Sequence, residues 1–287
     1  MSTRRGAAAL LSAPAALLVL LLVVIPVVIF GVYSFLEPRP FGVLDELTFD
    51  NYLGVLERSS FWTFMRTSLI VGISVGIVST AIGYVLAYET SVHGGRIKGL
   101  LLALMVGSIL GGYLVRIYAW RTILGSNGVL NSALERLGLI DEPLGFVLFS
   151  RFAVVIALAS IYIPFAALLI FAALENVARQ QIEAARTLGA RPIVAFRRVT
   201  LPLTGRAVFS AFAFTFLLTA ADYVTPQLVG GIDGTMVGVS VSDQFIKVGN
   251  WALGSAMSFV MITVFGTVLI VARLLLRVTR VIPGQSR

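Results

Sequence analysis

Six stretches of this chain carry few or no charged residues: Gly6 to Leu36, Thr67 to Tyr88, Gly99 to Val115, Phe152 to Leu174, Ala207 to Ala221 with a continuation past Asp222, and Val248 to Ala272. A helix rises about 1.5 Å per residue, so about 20 apolar residues cross the roughly 30 Å hydrocarbon core of a bilayer. Most of the stretches reach that length, and the two shorter ones extend past a single charge near one end. Charged residues are only 13% of the chain and mean hydropathy is +0.95, whereas a soluble domain is about one quarter charged. The expectation is an all-α polytopic membrane protein: one transmembrane domain over residues 1–287, with six helices at about 9–35, 66–89, 98–118, 148–174, 205–228 and 250–276. The first run follows Met-Ser-Thr-Arg-Arg. It is far longer than the about 7–15 residues of a secretory h-region, so it reads as a retained span.

Basic residues set the orientation. With both termini inside, the cytoplasmic segments hold fourteen basic residues, Arg4, Arg5, Arg96, Lys98, Arg179, Arg186, Arg191, Arg197, Arg198, Arg206, Arg273, Arg277, Arg280 and Arg287, against Glu89, Glu175 and Glu183, which is +11. The other side holds the remaining eight basic and eleven acidic residues, −3, and the two together give the +8 of the whole chain. The pI of 10.3 therefore reports topology, and no nucleic-acid partner is implied. The chain has no cysteine, which excludes disulfides, thiolate metal sites and cysteine nucleophiles.

Between the fourth and fifth stretches lies EAARTLGARPIVAFRRVTLPL, Glu183 to Leu203. The spacing predicts a short helix from Ile182 to Leu188, ended by Gly189 in the left-handed conformation, with Pro192 opening the next turn and Pro202 breaking the approach to another membrane helix. This pattern resembles the EAA loop of ABC-importer permeases. The resemblance implies a type I ABC-importer permease fold and a cytoplasmic coupling segment, 181–203. Its implied ATPase-coupling residues are Glu183, Ala184, Ala185, Leu188, Gly189, Leu201 and Pro202, with Glu183 and Gly189 shaping the docking helix and Ala184, Ala185 and Leu188 offering the ATPase a small apolar surface.

Four further motifs, Ile117-Tyr-Ala-Trp120, Gly125-Ser-Asn-Gly-Val-Leu-Asn131, Leu228-Val-Gly-Gly231 and Asn250-Trp-Ala-Leu-Gly254, are similar to the spermidine/putrescine importer permeases of the PotB type. That branch is close in sequence to permeases for aminoethylphosphonate, opines and ferric iron, which stay open as alternatives. The resemblance implies a multi-pass protein of the bacterial inner membrane working by alternating access. Its implied partners are an ABC ATPase dimer, a second permease of the PotC type, a periplasmic or lipoprotein substrate-binding protein and membrane lipid. No cofactor is implied.

No Gly-x-x-x-x-Gly-Lys-Ser/Thr run exists to cradle ATP phosphates, so energy for active transport must come from another subunit. Gly72-Ile-Ser74-Val-Gly76 matches the G-x-S-x-G string of hydrolases but lies inside an apolar run, and the single histidine, His93, is in a basic turn; Gly72 and Gly76 read as small residues that let helices pack. A catalytic role is not expected, nor a metal site. A secondary transporter is the rival from another class, and one intramembrane acid with no inverted repeat gives it little basis.

That acid is Asp222, about 24 Å along a fifth span starting near Arg206. An acid at such depth needs water, a cation or a basic partner. Thr215, Thr219, Asp222 and Pro226 are spaced to share one helical face, which would line a substrate path; an ion pair with Arg116 or Arg121 is the structural alternative. Tyr113, Trp120 and Tyr223 are further path candidates, because aromatic faces hold alkylammonium groups. Tyr84, Tyr88, Ser108 and Tyr162 read more simply as belt or packing residues. Outside, Glu37 to Phe64 is long enough to lie as a short helix on the surface.

Overall fold

The computed structural model describes residues 14, 17–145, 147–177, 181, 187 and 189–278. In chain order its elements are α1 (Leu17–Tyr33), β1 (Leu36–Arg39), β2 (Gly42–Leu47), α2 (Asp50–Glu57), α3 (Ser59–Val92), α4 (Lys98–Leu110), α5 (Tyr113–Leu124), α6 (Val129–Arg136), α7 (Arg151–Glu175), α8 (Pro192–Ala220), α9 (Val237–Asp243) and α10 (Trp251–Val278). Helices α3, α7, α8 and α10 are long and apolar enough to cross a membrane, and α4 with α5 qualifies as one bent span. Helix α1 is apolar throughout, and the start of its stretch, Gly6 to Ala13, lies outside the described residues.

The chain divides into two compact units, residues 1–62 with 240–263 and residues 63–239 with 264–287. In the first, the all-α expectation gives way to an antiparallel hairpin, with Pro38 opposite Val43 and Arg39 opposite Gly42. Phe41 turns it at φ 54° and donates its N–H to Gly249 O at 2.8 Å. Asn51 of α2 is buried and donates from Nδ2 to the carbonyls of Ser34 (3.2 Å) and Leu36 (2.8 Å). These carbonyls follow the end of α1, where helical partners run out, so Asn51 satisfies what the turn exposes.

In the second unit α7 is the most buried long helix, its start capped by Ser150, whose Oγ accepts from Ala153 N at 3.2 Å. Helix α3 lies against both α7 and α8 through glycines. A Cβ on Gly72 would stand 2.9 Å from Ala220 Cβ, one on Gly76 2.8 Å from Phe212, and one on Gly83 2.9 Å from both Ala166 Cβ and the Ala167 backbone nitrogen. The G-x-S-x-G string is thus a packing surface. Because backbone cannot move aside as a side-chain tip can, Gly83→Ala is expected to destabilise the protein by about 1–3 kcal/mol. Gly107→Ala, where a Cβ meets nothing within 4 Å, should be neutral or stabilise by about 0.5–1 kcal/mol. Thermal unfolding in detergent reads both; equal midpoints would show that Gly83 is not a tight contact.

Two expected spans differ. The third, expected as one helix over 98–118, bends by 90° between α4 and α5. Gly111 and Gly112 leave the helical region at ψ 135° and 127°, and Arg116 turns back to donate to Ser108 O and to Ser160 O at 3.4 Å. Ser108 is in the last turn of α4, so the guanidinium takes up a carbonyl that the bend leaves free. The fifth, expected over 205–228 with Pro202 as a break, instead runs through Pro202 and stops at Ala220. A proline lacks the N–H for the i−4 carbonyl. The wide turn Phe196–Thr200 just before it absorbs that loss with a local π geometry.

Candidate functional site

Two regions carry the candidate residues. At the start of α8, Glu183, Ala184, Ala185 and Leu188 lie outside the described residues. Gly189 has φ 84° and open space where a Cβ would be, the left-handed geometry that a C-capping glycine supplies at little cost. Arg191 is extended, and Pro192 is the first residue of α8.

A few residues on, the Phe196 ring meets the Tyr84 ring at 5.5 Å and the Tyr88 ring at 5.6 Å, both edge to face. Tyr84 OH and Thr204 Oγ1 are 3.0 Å apart, and the half-buried Leu201 packs on the same cluster with Ala87, Ala166 and Ile170. The root of α8 is therefore locked to α3 and α7. Sequence reasoning treated Tyr84 and Tyr88 as belt or packing residues and assigned no such role to Phe196; an aromatic run at helical spacing carries no sign of which neighbour it meets.

The second region lies just past the end of α8. Asp222 is not on that helix, and so shares no helical face with Thr215 and Thr219. Its Oδ1 accepts from Val224 N at 3.1 Å, and its Oδ2 from Thr225 N at 3.3 Å and from Tyr113 OH at 2.8 Å. The first two are the bonds of an N-cap. They open the turn that continues through Pro226–Gly230. Tyr113 OH is also 2.8 Å from Thr225 Oγ1, so a half-buried carboxylate, a phenol and a threonine hydroxyl form one polar cluster. The glycine bend places Tyr113 there, as the first residue of α5.

The ion pair weighed for Asp222 does not form: Arg116 is engaged with backbone carbonyls, and Arg121 lies 5.8 Å over the Phe149 ring. Trp120 donates its indole N–H to Ser160 Oγ at 2.8 Å, and Tyr223 is exposed. Thr215 and Thr219 are fully buried. Thr215 returns its hydroxyl to Ala211 O at 2.8 Å, while the Thr219 hydroxyl meets no hydrogen-bond partner. Tyr113 and Asp222 are thus brought together, and Thr215 faces helix packing. The missed signal was local: Asp222 is an N-cap residue type, and Pro226 four residues on speaks against a helix interior running past it.

Helices long and apolar enough to cross a membrane, one pair of them bent beside a half-buried acid, are the frame of a polytopic membrane protein. Residues 100–280 match the binding-protein-dependent transport system inner membrane component, and the chain belongs to that family, as an ABC-importer permease subunit of the inner membrane. It is 32% identical over 215 residues to the spermidine/putrescine transport system permease protein PotB of Haemophilus influenzae (strain ATCC 51907 / DSM 11121 / KW20 / Rd), covering 74% of this chain and 73% of that one. It is 29% identical over 224 residues to PotB of Escherichia coli (strain K12), covering 78% and 81%. A bacterial ABC transporter that imports the acidic polysaccharide alginate has a chain of the same fold, with a TM-score of 0.77 at 14% identity and 96% coverage of each.

Proposed function

We propose that this permease passes a polyamine-class cation from an external binding protein into the cytoplasm, in a complex with a second permease and a pair of ATPase subunits. The observation that carries the substrate class is the Tyr113–Asp222–Thr225 cluster: a carboxylate in a membrane protein favours a cation over an anion. The spermidine and putrescine named for its relatives support the same class. In this reading the chain has six spans, and both termini and segment 181–203 are cytoplasmic, in keeping with the positive-inside charge division. The motion of the ATPases enters at Glu183, Ala184, Ala185, Leu188 and Gly189. It reaches the spans through α8, with Leu201 and Pro202 at its root.

The test is uptake by the purified complex in proteoliposomes with its binding protein. ATP-dependent accumulation of labelled spermidine, competed by putrescine and indifferent to aminoethylphosphonate and ferric iron, is expected. ATP-dependent transport of the phosphonate or of iron in place of spermidine would overturn the substrate class and leave the importer. Transport that persists without ATP would favour a secondary transporter.

A further inference from the structure

Helix α2 has three distinct faces. Asn51 and Val55, four residues apart, are buried. Asp50 and Glu57 are exposed on a second side. Phe49, Leu53 and Leu56, spaced by four and three, form a third, with exposures of 70%, 54% and 54%. Three large apolar side chains on one side of an eight-residue helix and its N-cap residue, Phe49, are unfavourable in water. Something covers them.

What covers them follows from what α2 is joined to. Only Arg58 separates it from α3, and the indole of Trp62, in the first turn of α3, donates to Leu56 O at 3.0 Å. The position of α2 is therefore tied to that turn. The charge-free part of α3, from Thr67 to Tyr88, is bounded by Arg66 and Glu89 and is about 33 Å long, close to the roughly 30 Å of the hydrocarbon core. Trp62 comes one helical turn before Arg66 in the chain, and tryptophan collects in the headgroup zone of membrane surfaces.

We propose that Phe49, Leu53 and Leu56 insert into the lipid leaflet at the boundary between headgroups and acyl chains. Helix α2 is then an interfacial anchor that fixes the depth of the first turn of α3, with Asp50 and Glu57 in water and Asn51 and Val55 on the protein. The partner is the lipid surface itself. This goes beyond the transport reading and does not depend on the substrate.

The absence of cysteine makes the test direct. Leu53→Cys and Glu57→Cys are each labelled with a polarity-sensitive nitrobenzoxadiazole probe on the full chain in phosphatidylcholine nanodiscs, and Leu56→Cys serves if Leu53→Cys inserts poorly. Lipids brominated near the top of the acyl chain should quench the probe at 53 or 56 at least threefold more than at 57, and aqueous iodide should reverse the order. Equal quenching at the two faces overturns the proposal. The same measurement on the complex with its partner subunits must keep the lipid quenching; its loss there would assign the stripe to a protein neighbour and overturn the proposal as well.

Discussion

Asp222→Asn is expected to leave membrane abundance near normal and to cut uptake of a polyamine at least tenfold, whereas Asp222→Ala loses both. Asparagine is as good an N-cap as aspartate, and its Oδ1 can still accept from Val224 N, as the carboxylate does at 3.1 Å. Its amide can donate to Tyr113 OH while the phenol hydrogen turns to Thr225 Oγ1, 2.8 Å away. What asparagine removes is the charge, together with the longer bond from Thr225 N, 3.3 Å to Oδ2, which an amide nitrogen cannot accept. A tenfold loss corresponds to about 1.4 kcal/mol, a modest demand on a carboxylate attracting an ammonium group. Alanine removes the cap as well, at about 0.5–2 kcal/mol, and leaves Tyr113 only the Thr225 hydroxyl as a partner. Membrane abundance by immunoblot and uptake of labelled spermidine separate the two roles. Wild-type uptake by Asp222→Asn would reduce Asp222 to a helix cap.

The same acid marks the boundary of what the sequence makes legible. The existence and order of the long helices are written in apolar runs of spanning length, a strong signal because the hydrocarbon core has a fixed thickness. Where a helix stops inside such a run is not. Gly111-Gly112 looks like other glycines that membrane helices tolerate, and the 90° bend rests on Arg116 reaching back to Ser108 and Ser160, contacts made only once α4, α5 and α7 are assembled. Pro202 misleads in the opposite sense: it reads as a break, yet the wide turn of Phe196–Thr200 supplies the compensation that lets α8 run on. The hairpin of the first unit turns on Phe41 at positive φ, which no turn rule assigns to phenylalanine. The cluster of Tyr113, Asp222 and Thr225 inherits both difficulties, since it needs one helix to break and another to end.

The second large effect is expected at Gly189. Gly189→Val should abolish ATP-driven uptake, by tenfold or more, while the protein is inserted at normal abundance; Gly189→Asn should retain most of it. At φ 84° an ordinary residue is strained by about 1–2 kcal/mol. A β-branched one is worse still, and asparagine is among the few side chains that enter this region readily. No atom lies within 4 Å of the position a Cβ would take, so a defect in the valine variant would come from backbone direction and not from a clash. Direction matters here because the chain is short and stiff beyond the glycine. Arg191 is extended, Pro192 starts α8, and Phe196 is wedged between the rings of Tyr84 and Tyr88 on α3. A segment re-aimed before Pro192 either strains that wedge or, in the proposed complex, no longer meets the ATPase. Co-purification of the ATPase distinguishes these outcomes: its loss means that docking has failed, and its retention with uptake lost means that the motion no longer passes into α8 and α3. Normal ATPase association and normal uptake in Gly189→Val would remove the coupling role from this turn.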